Sequence, residues 1–155
     1  MAATDEWRKQ LYHQTHPTLR QSNGDVRLLT IQSWYDSNTH LDAPLKTIIQ
    51  CSLRLANLRR DSLSMAVSHS WDASDPIVES EPVIVDGVPV PVSKGLYQVL
   101  CHLQQLSDPT TVWIDALCIN HADIAEKSAQ VAQIAEIYAK ADKTLLWLGP
   151  EDDLS

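Results

Sequence analysis

The sequence predicts an α/β fold: a mainly parallel sheet flanked by helices, with N-terminal antiparallel strands and a β-hairpin. Three observations carry this. The run Val112–Ile119 is almost continuously apolar, as in a strand covered on both faces. Two helical stripes lie on either side of it, Leu96, Val99, Leu100, Leu103 and Leu106 before and Val131, Ile134, Ala135, Tyr138 and Ala141 after. Asp86-Gly87 between valine-rich runs marks a type I′ hairpin turn.

Taken in order, residues 1–24 are polar and aperiodic, and read as a flexible arm closed by the turn signal Asn23-Gly24. Val26–Ile31 reads as a short strand, and Ser33–Pro44 as a loop. Ile49, Cys51, Leu53 and Leu55 alternate with polar residues, which favours a half-buried strand over the competing helical stripe. Met65–His69 is a third strand, delivering Ser70-Trp71-Asp72 at its C-terminal end, and Asp72–Pro82 reads as a loop. In the hairpin, Val88, Val90 and Val92 share one face. Pro89 and Pro91 cannot donate to a ladder, so this strand belongs at an edge. Ser93 is placed to cap the first helix, and Asp123 with Glu126 resembles a capping box for the second. Thr144–Leu148 reads as another buried strand, stopped by Gly149-Pro150.

Length and charge narrow the classes. The 155 residues suit one domain with a real core. A net charge of −8 argues against a nucleic-acid surface, which needs clustered cations. Arg54, Arg59 and Arg60, the densest basic group, read as a solvated face. Three scattered cysteines make no disulfide framework, and a reducing, cytoplasmic location fits them. There is no signal-peptide pattern, and no apolar run nears the roughly 20 residues of a membrane span.

In open α/β sheets, ligands bind beyond the C-terminal ends of the strands. The strands ending at Ser70, Ile119 and Leu148 are expected side by side, with those ends on one rim. That rim would gather Trp71, Asp72, Cys118, Asn120 and His121. Asp115 is either a buried, hydrogen-bonded carboxylate or a group at the edge of the cleft. Cys118 and His121 allow two readings: a thiolate–imidazole nucleophile, or a core thiol beside a loop-shaping imidazole. Neither Cys118-x-x-His121 nor the pair His13 and His16 has further ligands at zinc spacing, so no metal is assigned. No Gly-rich phosphate loop and no G-x-S-x-G elbow is present, so no cofactor and no catalytic residue are assigned.

Trp113-Ile114-Asp115-Ala116-Leu117-Cys118-Ile119-Asn120 resembles the "WIDALCINQ" signature of the fungal heterokaryon incompatibility (HET) domain family. The resemblance continues through Asp123, Glu126, Gln130-Val131, Ile137-Tyr138 and Ala141 to Trp147-Leu148-Gly149-Pro150. Upstream, Ala66–Asp72 is similar to the family's "ALSYVWG" strand, Leu96 and Leu100 match its "NLxxAL" helix, and Arg27-Leu28-Leu29 resembles a preceding "RLL" strand. His69, Asp72, His121 and Lys127 depart from the usual aromatic, glycine, glutamine and arginine.

The resemblance implies a HET domain over residues 25–155, with its C-terminal part expected to be missing, and a remotely TIR-like, flavodoxin-like sheet. It implies a signalling or effector module in fungal allorecognition and programmed cell death, with protein partners or self-association. The alternative it raises is a TIR-like NAD glycohydrolase. The late glutamate such an enzyme uses has no matching position here, since Glu126 and Glu136 lie on the earlier helix.

Overall fold

Alternating apolar segments build the sheet expected, and one long-range insertion changes its character. The computed structural model describes residues 6–13, 24–32, 49–69, 77–106 and 110–147. A short helix α1 (Glu6–Arg8) runs into a π-helical turn (Lys9–His13). The strands are β1 (Asp25–Gln32), β2 (Ile49–Asn57), β3 (Leu63–His69), β4 (Ile77–Val85), β5 (Val88–Ser93), β6 (Thr110–Ile114) and β7 (Ala141–Trp147). Helix α2 (Lys94–Leu106) precedes β6, while α3 (Asp115–Cys118) and α4 (Ile124–Lys140) follow it.

Among the described residues, seven strands form one sheet in the order β5-β4-β2-β1-β6-β3-β7. As expected, β6, β3 and β7 are adjacent and parallel, with Val67 opposite both Ile114 and Leu145. The expectation of a mainly parallel sheet is corrected, because the sheet is mixed. The pairs β2–β4, β3–β6 and β3–β7 are parallel, whereas β1–β2, β1–β6 and β4–β5 are antiparallel. The cause is β1, which inserts between β2 and β6 and runs against both.

The two long helices cover opposite faces. Thr110 donates its hydroxyl to the Leu103 carbonyl of α2 at 3.2 Å, while the Trp113 ring meets Tyr138 of α4 edge-on at 6.0 Å. Residues three apart on a strand point to opposite sides. The α2 stripe buries Leu96, Val99, Leu100 and Leu103, and the Ser93 hydroxyl caps it by accepting from the Leu96 amide.

The hairpin forms with Asp86 and Gly87 both at positive φ, 48° and 80°. The Asp86 carboxylate also accepts the Leu53 amide, tying the turn to β2. β5 is an edge strand, as its prolines require. The segment read as a loop up to Pro82 is strand from Ile77 onward, and Pro82 falls in the irregular stretch between Val78 and Val83. That irregularity is where a residue without an N–H is tolerated.

Two further expectations change. The strand Val112–Ile119 stops at Ile114, and Asp115 opens a helical turn. An acidic residue suits that first turn, and Ala, Leu and Cys follow without a β-branched residue. β7 is not buried. It pairs with β3 alone among the described residues, and Leu146 is 61% exposed. Over its described part the N-terminal arm packs inward, with Leu11 and Tyr12 fully buried. Trp71, Asp72 and the loop 33–44 lie outside the described residues. Among the described residues no helix is long and apolar enough to cross a membrane.

Candidate functional site

The connection from β6 to α4 carries the residues of interest, and most of them are turned inward. Glu126 sits on the buried face of the first turn of α4, only 5% exposed. Its carboxylate receives two hydrogen bonds from the guanidinium of Arg27, at 2.7 and 2.9 Å. Arg27 comes from β1 and is fully buried. The same carboxylate accepts the Asn120 amide at 2.6 Å, and Arg27 donates further to the Cys118 carbonyl at 3.3 Å. Tyr12 completes the cluster: its hydroxyl donates to the Leu117 carbonyl at 2.8 Å, and the Arg27 guanidinium lies 4.9 Å from its ring centre. Burial raises the Tyr12 hydroxyl pKa well above its ordinary value.

Asp123 caps α4 by accepting the Glu126 amide at 3.1 Å, one half of the capping box expected from the sequence. In the other half, the carboxylate of Glu126 would reach back toward Asp123. Here it goes to Arg27 and Asn120.

Asn120 is buried and makes a local turn, its side-chain oxygen accepting the Ala122 amide. His121 holds its Nε2 2.8 Å from the Asp115 carbonyl. A carbonyl only accepts, so that nitrogen carries the hydrogen. The Cys118 sulfur accepts from the Ile114 amide at 3.5 Å, and burial pushes the thiol up to about 12. A nucleophilic cysteine needs the opposite shift, so Cys118 has the character of a core thiol.

Of the residues expected at the rim, Asp115 and His121 line a surface groove of about 360 Å³, with Cys118 and Asn120 buried in the chain between them. Ile119, Val131 and Ile134 supply the apolar lining of this groove, and Arg8 and Lys127 its cationic groups. The expected α4 stripe is thus not fully buried at any position: Ile134 and Tyr138 are half-buried and Val131 is 53% exposed on the groove, while Ile137, outside that stripe, is fully buried. Among the described residues there is no group of three or more His, Cys, Asp or Glu side chains able to hold a metal ion.

Sequence reasoning missed Arg8, Tyr12 and the pairing of Arg27 with Glu126. One signal was available: Arg27 is a lone charge between Val26 and Leu28-Leu29 in an apolar strand, which demands a buried partner.

Fold and site define a mixed-sheet α/β module whose strand-end loop is anchored from within by a buried ion pair. A family model described as heterokaryon incompatibility protein (HET) matches residues 65–155, and the chain belongs to that family. Heterokaryon incompatibility protein 6, OR allele, of Neurospora crassa is 31% identical over 115 residues. That alignment covers 68% of this chain and 17% of the Neurospora protein. No solved structure matches the chain.

Proposed function

We propose that the chain acts as a signalling or effector module in fungal non-self recognition, triggering programmed cell death when protein partners bring it together. The name of the Neurospora relative supports this direction. The observation that carries it is the use of the signature residues. The Glu126 side chain, joined to the Asn120 amide and through Arg27 to the Cys118 carbonyl, is spent on holding the β6–α4 connection against β1, which suits a platform presented to partners. A cytoplasmic setting fits the three free thiols.

Inducible expression of the chain in a filamentous fungus, fused to a drug-dependent dimerising domain, tests the reading. Loss of viability on adding the dimeriser is expected, with no nicotinamide released when purified protein is incubated with NAD. Normal growth of the dimerised strain overturns it. Nicotinamide release abolished by Asp115→Asn would put the NAD-cleaving alternative in its place.

A further inference from the structure

The groove beside the β6–α4 connection combines features that a solvated helix face does not need. Lys127, Val131 and Ile134 follow at i, i+4 and i+7 along α4, so all three lie on one side of the helix. A single exposed valine on a helix is ordinary. Here Val131 is joined on the groove by the half-buried Ile134, with the buried Ile119 beneath them. Three separate segments converge on the recess: α1 through Arg8, the turn after β6 through Asp115, and α4. The volume falls in the range of small-ligand pockets, which are mostly apolar with a few placed polar groups.

Charge decides the class of ligand. Arg8 and Lys127 bring two positive charges to the recess, and Asp115 brings one negative charge. The local balance is therefore positive in a chain whose net charge is −8. The Arg8 guanidinium stacks 4.5 Å from the centre of the Trp7 ring, which holds it in place at little further entropic cost on binding.

We propose that this groove is a binding site for a small organic anion with an aliphatic body. The head group is held between Arg8 and Lys127, and the chain lies along Val131 and Ile134. An amine-bearing ligand of the same shape meets the excess positive charge and is rejected. The site stands apart from the signalling reading, because occupancy is measured on the whole chain in solution.

The test uses hexanoate and hexylamine, which share an aliphatic body and differ in head-group charge. Titration followed by backbone amide shifts in NMR should show saturable changes around Lys127, Val131 and Ile119 with hexanoate, and none with hexylamine. Lys127→Glu and Val131→Asp should each weaken hexanoate by about tenfold, the loss of one good contact. Both side chains are exposed, so an unchanged thermal melt is expected of each variant. Lys140→Glu, on the exposed end of α4, should bind as the parent does. Equal binding of the two probes, binding of neither, or full affinity in Lys127→Glu overturns the proposal. A chain that kills cells without binding hexanoate, or binds without killing, separates this site from the proposed function.

Discussion

Arg27 in β1 and Glu126 in α4 stand 99 residues apart in sequence and form a bidentate ion pair sealed from solvent. Removing one partner leaves the other charge buried alone. Glu126→Ala is therefore expected to destabilise the protein by about 3–5 kcal/mol. The double variant Arg27→Met with Glu126→Leu should cost much less than the two single changes added together. Urea unfolding of the four proteins in the cycle decides it. Simple additivity would mean that the pair contributes no coupling.

The same pair bears on where the folding unit starts. The family match begins at residue 65, but β6 lies between β1 and β3 in the sheet. A fragment of residues 63–155 lacks β1, β2, Arg27 and Tyr12. It is expected to lack the dispersed amide NMR spectrum of the full chain and to bind the dye ANS. A cooperative melt from that fragment would show that the upstream strands are dispensable.

Cysteine accessibility gives a prediction with a defined sign. Cys51 and Cys118 are buried, and desolvation raises both thiols from an ordinary 9.0 to about 12. Only Cys101, half-buried, should react quickly with a thiol reagent in the native state, the other two waiting for unfolding. With rising pH the unfolded chain loses these protons first, so the unfolded state binds fewer protons than the native one. Stability should hold below about pH 9 and fall as pH climbs toward 12. A flat alkaline limb in pH-dependent urea melts would contradict the assignment.

The hairpin turn allows a cleaner measurement. Gly87 has φ of 80°, and a Cβ added there meets nothing within 4 Å. Gly87→Ala should therefore cost only backbone strain, about 1 kcal/mol, with no change elsewhere in the amide spectrum. A larger loss would mean that the turn carries packing beyond its own conformation.

These relationships explain how much could be read in advance. The Asp86-Gly87 turn, the α2 stripe with its Ser93 cap and the parallel trio β6, β3 and β7 were legible, because local propensity and periodicity specify them. The end of β6 was not, since an apolar run does not reveal where strand gives way to the helical turn opened by Asp115. Val131 was assigned to the core because a helical stripe records which side is apolar and says nothing of how far the neighbouring elements cover it. At the site, spacing left Asp115 open between a buried carboxylate and a group at a cleft edge, while Arg8, Tyr12 and the Arg27 link depend on contacts across about a hundred residues that no local pattern encodes.

The two borders of the sheet are chemically unequal. β5 presents Pro89 and Pro91, which have no amide hydrogen to offer, whereas β7 has no proline from Ala141 to Trp147. Among the described residues, growth of this β-structure is thus favoured on one side: a further segment, whether from the same polypeptide or another, finds an uninterrupted row of donors and acceptors on the Leu146 flank.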